Sequence, residues 1–219
     1  MNIICIKWGT KYNNVFVNKL YNMCLRHFKN FDFHCITEDP EKNIDKNINI
    51  IPLPKGNLEK WWWKMWLFNE EWLTLDNCVF FDLDIIIQDH LTIEYDENVK
   101  LLYTDWVDCE QMRQDVLCKH YQYCDINSSI ISWNKNTKRH HIWEDFQKNQ
   151  EMITFLFHGI DNYINYRHKE SYSPYKNNTA YSYSTNDQHR ADCPIILFDY
   201  IQNKQDTLMH IDWVKKLWN

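Results

Sequence analysis

Val79-Phe80-Phe81-Asp82-Leu83-Asp84-Ile85-Ile86-Ile87 decides how this chain is read. Both flanks are apolar, β-branched or aromatic, the composition of a central strand buried on both faces. Two carboxylates interrupt the run with one residue between them. Carboxylates are seldom buried unless they are paired or bind a metal. Alternation along a strand would put Asp82 and Asp84 on one side. Two hard oxygen donors converging at a strand end make half of a site for Mg²⁺ or Mn²⁺. The plainer alternative is an exposed strand-end pair that caps the following turn.

Outward from this run, the pattern alternates strands with helices. Asn2 to Trp8 predicts a first strand, and Val17, Leu20, Tyr21, Cys24 and Phe28 fall on one helical face. Phe31 to Thr37 and Ile48 to Leu53 predict the next two strands. Trp61 to Leu73 predicts an aromatic-rich helix and Asn77 to Asp82 the central strand. This order specifies an α/β fold with a mostly parallel central sheet flanked by helices, whose ligands sit at the carboxyl ends of the strands. Strands are also expected at Lys100 to Thr104, Asp125 to Trp133 and Pro194 to Phe198. Helices are expected at Ile142 to Gln147, Asp161 to His168 and Asp212 to Trp218. Asp105 to Tyr121 is a polar connection, and Ser171 to Asp187 a loop over the cleft.

The chain has 219 residues, which suits a single domain without a clear linker or internal repeat. Its 11 Trp and 13 Tyr exceed what a core alone must hold; exposed flat rings suit sugars or bases. Gly9, Gly56 and Gly159 are the only glycines, so no G-x-G-x-x-G turn and no P-loop exists. A phosphorylated ligand must then be held by a divalent metal with Lys or Arg. The net charge of −6 and the lack of a basic block argue against nucleic-acid binding. Eight scattered Cys without a C-x-x-C pair indicate free thiols in a reducing compartment. Cys109, Cys118, His120 and Cys124 match no zinc spacing. No signal peptide or membrane span is evident, so a cytoplasmic location is expected.

The ordered blocks Lys7-Trp8-Gly9-Thr10-Lys11-Tyr12, Thr37-Glu38-Asp39, Trp61-Trp62-Trp63-Lys64, Asp82-Leu83-Asp84 and Asn127-Ser128 resemble nucleotide-sugar glycosyltransferases of the A-type fold. Family 8-like bacterial and phage enzymes are the nearest in pattern. The resemblance implies a single glycosyltransferase domain over 1–219, with residues 1–104 as the nucleotide-binding half and 105–219 as the acceptor and sugar half. It implies a donor nucleotide-diphosphate sugar, UDP-linked first of all, a carbohydrate or glycoconjugate acceptor, bound Mn²⁺ or Mg²⁺, and retention of anomeric configuration. Asp84 would be the firmer metal ligand, and Asp82 would touch metal and ribose. Trp8, Gly9, Thr10 and Tyr12 would line the nucleoside, and Asp39 would face the base. Lys64 would approach the phosphates or the sugar, Asn127 the donor sugar, and Asp161 the reacting sugar. In the family a Phe-His-Gly run supplies a third ligand. Here Phe198-Asp199-Tyr200 occupies that place, making Asp199 the expected third ligand and His210 the fallback. Ser129 and Asn162 also depart from the family's Gly and Gln.

Each residue has a bland rival role. Lys64 is also a plausible solvated helix residue, Asp39 a turn residue before Pro40, and Asn127 and Ser128 backbone partners at a strand entry. Two other functions share part of the pattern. A haloacid-dehalogenase-type phosphatase also ends an apolar strand in D-x-D, but here some eighty residues precede the strand and Ile86 stands where that motif has Thr or Val. A degenerate transferase that binds carbohydrate or nucleotide without turnover is the other, motivated by the altered Phe198-Asp199-Tyr200 segment.

Overall fold

The computed structural model of the protein describes residues 1–39, 43–104, 124–176, 178–183, 189–198 and 210–218. The predicted polar connection Asp105 to Tyr121 lies outside these, as do Cys109, Cys118, His120 and Asp199.

Strand β1 (Asn2–Lys7) leads into helix α1 (Asn14–His27), then β2 (Asp32–Thr37) and β3 (Asn49–Pro52). A 3₁₀ helix (Lys60–Phe68) precedes β4 (Cys78–Phe81) and β5 (Ile85–Ile87). After β6 (Val99–Tyr103) and β7 (Ile126–Trp133) come α2 (His140–Leu156) and α3 (Ile160–Arg167). Short strands β8 (Tyr172–Pro174), β9 (Ala180–Ser182) and β10 (Ile195–Leu197) and helix α4 (Asp212–Leu217) follow. The main sheet has seven strands in the order β3-β2-β1-β4-β7-β6-β8. The pairs β1–β2, β2–β3 and β6–β8 are parallel and β6–β7 is antiparallel. A second sheet has the order β5-β10-β9.

The chain divides into two compact units, one of residues 1–53, 79–93 and 176–219, the other of residues 54–78 and 94–175. In the first unit α1 starts where the Asn13 side chain accepts a hydrogen bond from the Val15 amide, 3.0 Å away. Its basic last turn, Arg26 and His27, suits the helix dipole. Phe16, Val17, Leu20, Met23 and Cys24 are buried, each large apolar side chain contributing about 2 kcal/mol of burial. The ring of Phe16 meets Trp218 edge-on at 4.7 Å, while Lys19 and Arg26 donate to the carbonyls of Trp218 and Leu217. In the second unit Trp62 and Trp63 are buried, and Trp62 stacks on Phe146 at 5.6 Å. A clamp joins α2 to α3: Asp145 accepts two hydrogen bonds from Arg167 (2.8 and 2.7 Å), one from Tyr163 (3.0 Å) and contacts His168 (3.1 Å).

Four expectations need correction. Val79 to Ile87 is not one strand: the chain leaves the main sheet after Phe81 and enters the second at Ile85, so Asp82 to Asp84 form a turn. The alternation argument for Asp82 and Asp84 therefore fails, because the chain turns between two sheets there instead of passing through a pleat. The Trp61 to Leu73 helix is shorter and 3₁₀. Bulky adjacent indoles restrict side-chain freedom in an α-helix, and the Asn69 side chain ends the element by accepting the amides of Glu71 and Trp72. Helix α2 runs well beyond Ile142 to Gln147, its later turns having exposed Met152 and Phe155 that break the amphipathic period. Ser171 to Asp187 is not wholly loop, since β8 adds to the open edge of β6 and β9 pairs with β10.

Left-handed backbone is carried mainly by asparagine in this glycine-poor chain: Asn30, Asn43, Asn77 and Asn178 have positive φ, together with Lys60 and Gly9.

Candidate active site

In the first unit, parallel β1 and β2 end in register at Lys7 and Thr37. The loops beyond these carboxyl ends carry the expected nucleoside residues. Gly9 turns the chain with φ of 63°, and its amide donates to Glu38 Oε1 at 2.8 Å. That bond ties the first loop to the second. Thr37 Oγ1 accepts the Asp39 amide at 3.1 Å, and the buried Lys7 ammonium lies 3.9 Å from the exposed Asp39 carboxylate. Trp8 is half-buried and Thr10 exposed.

The D-x-D turn belongs to the same unit. Leu83 is buried and anchors the turn, which leaves Asp82 partly exposed and Asp84 only 9% exposed. Tyr12 donates its hydroxyl to Asp84 Oδ2 at 2.8 Å. Burial, then the Asp84 carboxylate and then that of Asp82 push the Tyr12 hydroxyl far above its ordinary range, so it stays a donor. Tyr12 is itself held by Phe16, ring to ring at 4.7 Å, and Lys11 lies 4.7 Å over its ring.

In the second unit a different cluster forms on β7. Its pairing with β6 shifts register between Leu101 and Leu102, from Ile131 to Asn127, so the strand bulges through Ser128, Ser129 and Ile130. The buried Ser128 is then clamped by side chains. Lys64 Nζ donates to its carbonyl at 3.1 Å and to its Oγ at 3.2 Å. Asp161, in the first turn of α3, accepts its amide at 3.0 Å. Asn127 Oδ1 accepts the Ser129 amide at 2.7 Å, leaving its NH₂ group as the donor it can offer a ligand. Lys64, Asn127 and Asp161 are thereby brought together around one bulge.

The structure adds one residue that sequence reasoning gave no role, Glu38, and enlarges the role of another, Ser128. Glu38 locks the Gly9 turn, and nothing in its sequence setting signals that. Ser128 is the pivot of the second cluster; the Asn-Ser-Ser tripeptide, weak strand formers in a row, is the one signal for its bulge. Among the described residues no three His, Cys, Asp or Glu side chains gather to hold a metal. The fallback ligand His210 is exposed, and Asp199 lies outside the described residues. Two hard carboxylates in one turn, Asp84 nearly buried and Asp82 partly exposed, are nonetheless a donor set that fits a divalent cation of the Mg²⁺ or Mn²⁺ kind. The six described cysteines, Cys5, Cys24, Cys35, Cys78, Cys124 and Cys193, are free and buried.

The architecture is that of the A-type glycosyltransferases. A galactosyltransferase, LgtC, solved with donor and acceptor sugar analogs, matches 99% of this chain and 95% of its own at a TM-score of 0.64 and 12% identity. GlyE, a glycosyltransferase of Streptococcus pneumoniae TIGR4, matches 99% of this chain and 62% of its own at a TM-score of 0.62 and 12% identity. A glycosyltransferase involved in glycosylation of the major capsid of PBCV-1 matches 96% and 100% at a TM-score of 0.58 and 9% identity. No family model and no curated protein matches the sequence.

Proposed function

We propose that the protein is a metal-dependent glycosyltransferase that moves a sugar from a nucleotide diphosphate, UDP first of all, to a carbohydrate or glycoconjugate acceptor with retention at the anomeric carbon. The observation that carries this reading is the D-x-D turn of an A-type fold, in which the nearly buried Asp84 carboxylate is held by the Tyr12 hydroxyl with Asp82 two residues away in the same turn. Fold likeness supports the reaction class, and the side chains support the roles.

Asp82 and Asp84 would hold the divalent cation, with Asp199 as the proposed third ligand. When bound, that cation supplies Lewis-acid neutralisation of the diphosphate. Tyr12 orients the Asp84 carboxylate by donating to one of its oxygens. The Trp8 to Tyr12 loop lines the nucleoside and Asp39 faces the base. Lys64 is a fixed positive charge for a phosphate or sugar oxygen, oriented in advance by two bonds to Ser128. The Asn127 amide donates to the donor sugar. Asp161 bears on the reacting sugar, its carboxylate held by the Ser128 amide. The A-type fold leaves the phosphatase alternative without the fold it requires. No described helix is long and apolar enough to cross a membrane, and buried free thiols suit the cytoplasmic location we propose.

Calorimetric titration with UDP, with and without Mn²⁺, followed by assay of UDP-sugar hydrolysis and transfer, tests the proposal. Binding that needs the metal, with release of UDP from at least one UDP-sugar, is expected. Equal UDP binding in excess EDTA would overturn metal dependence. Metal-dependent binding of UDP-sugars without turnover would select the degenerate binding protein, the reading that the Phe198-Asp199-Tyr200 departure favours.

A further inference from the structure

Of the three consecutive indoles Trp61, Trp62 and Trp63, two are buried, and Trp61 alone is 36% exposed. Burial therefore does not explain Trp61, and its setting is built with some care. Lys60, immediately before it, has φ of 53°, a left-handed conformation that a long side chain adopts only under constraint. That turn sets the direction in which the 3₁₀ helix begins. On the far side, a Cβ built on Gly159 would lie 3.0 Å from Trp61 Nε1. Gly159 itself is extended, with φ of −164°, so close approach of the indole and not backbone conformation accounts for the glycine. His158 lies beside the indole, ring centroids 5.5 Å apart at 39°, and Lys60 Nζ lies 5.4 Å from the ring centre.

The position of this ring follows from the chain's own bonds. A 3₁₀ helix has three residues per turn, so Trp61 and Lys64 project from the same face, one above the other. Lys64 grips Ser128, Ser128 is bonded to Asp161, and Asp161 stands two residues beyond the Gly159 that abuts Trp61. These links close a ring within one unit. Trp61 is thus the exposed aromatic rim of the Lys64–Ser128–Asp161 cluster.

We infer that Trp61 and His158 form a stacking platform for a pyranose ring of the acceptor. The inference rests on the transferase reading and specifies part of its substrate site. The indole face turned away from the Lys60 ammonium takes the C–H face of a sugar, while the imidazole of His158 supplies a hydrogen bond to a hydroxyl at its edge. The donor sugar needs the polar groups Lys64, Asn127 and Asp161. The open aromatic rim suits a substrate that arrives from solvent.

Tryptophan-selective ¹⁵N NMR reads the platform directly. Its probes are free hexoses, N-acetylhexosamines and lactose, and a Trp61→Phe spectrum assigns the Trp61 indole signal. At least one saccharide is expected to shift that signal. Measured by calorimetry, Trp61→Ala should weaken the Kd of that saccharide at least tenfold, Trp61→Phe less than threefold, and Gly159→Val, which crowds the indole, at least threefold. The platform is overturned if no saccharide moves the Trp61 signal or if Trp61→Ala binds like the wild type. UDP-sugar hydrolysis by the wild-type protein separates the two readings. Hydrolysis with a silent Trp61 removes the platform and keeps the transferase. A responsive Trp61 without hydrolysis keeps the platform as a carbohydrate site and removes the transferase.

Discussion

The D-x-D cluster and the Ser128 cluster solve the problem of holding charge in opposite ways. In the first, Lys7 lies near Asp39, Glu38 accepts the Gly9 amide, and Asp84 accepts from a phenol whose pKa burial raises. Around the second, one ammonium and one carboxylate grip the carbonyl and amide of a single residue, and the arrangement balances itself. On the proposed reading the first cluster takes up a cation, whereas the second is already held by its own bonds. Loops beyond parallel strand ends build the one, and a bulge inside a strand builds the other. Ligand-dependent order is therefore expected of the first and intrinsic order of the second.

The largest effect should come from Asp84→Ala. Activity should fall a hundredfold or more, about 3 kcal/mol, with the thermal stabilisation by UDP and Mn²⁺ lost and the unliganded melting temperature unchanged or raised. A variant that melts far lower but retains normal activity per folded molecule would make Asp84 a structural residue and erase the contrast.

Asp161 sharpens the comparison because its two possible roles separate. Asp161→Asn keeps an oxygen for the Ser128 amide, so the bulge should persist, but the charge is gone. A ten- to thirtyfold fall in kcat is expected, about 1.4–2 kcal/mol, with the Kd of UDP and Mn²⁺ unchanged. Should Asp161→Asn match the wild type while Asp161→Ala fails, the carboxylate serves only the backbone.

Tyr12→Phe tests whether the first cluster needs its donor. A hydrogen bond to a charged group is worth about 1.5–3 kcal/mol, and partial exposure of Tyr12 reduces this to about 1 kcal/mol. Metal-dependent UDP binding should weaken about fivefold by calorimetry. No change would mean that the cation organises Asp84 unaided.

The smallest effect concerns a clamp remote in chemistry from both clusters. Burial, only partly opposed by Asp145, lowers the pKa of His168 below its ordinary 6.5. Burial pushes Asp145 up, but the bonds from Arg167 and Tyr163 outweigh it and hold that carboxyl at about 2. Both folded-state values are depressed, so the unfolded chain binds more protons as pH falls. The stability contributed by His168 is full above pH 6.5 and declines below it, and that of Asp145 declines from about pH 4 toward 2. Melts of the wild type and His168→Gln between pH 7.5 and 5 should converge by about 1 kcal/mol or less. Parallel curves would assign the acid response elsewhere.

Much of this was legible in the sequence. The alternation of β1, α1, β2 and β3 is written in periodic apolar residues and clear breakers, and the fold class followed from it. The D-x-D was visible because carboxylates in an apolar run demand a reason, although the turn they make was not. The departure from the main sheet at Asp82 goes with β5 pairing to β10, a contact over a hundred residues away in the chain. The β7 bulge was hidden for a related reason: Lys64 and Asp161 can replace a strand partner only once the fold has delivered them. The 3₁₀ geometry that aligns Trp61 with Lys64 was also unreadable, since the aromatic run suits an α-helix equally in composition.

The interleaving of the two units has a consequence for how the chain is made. Unit two is contained within residues 54–175, but unit one draws on segments that flank it on both sides. Helix α1 must wait for its cover: Arg26 and Leu217, which meet in the finished fold, are 191 residues apart. At roughly 5–20 residues per second of synthesis, the contacts of α1 with Leu217 and Trp218 form roughly 10–40 s after α1 itself is made. The unit that carries the D-x-D turn is therefore begun first and completed last, and a nascent chain halted before β10 holds every residue of the Ser128 clamp while β5 still lacks its strand partner.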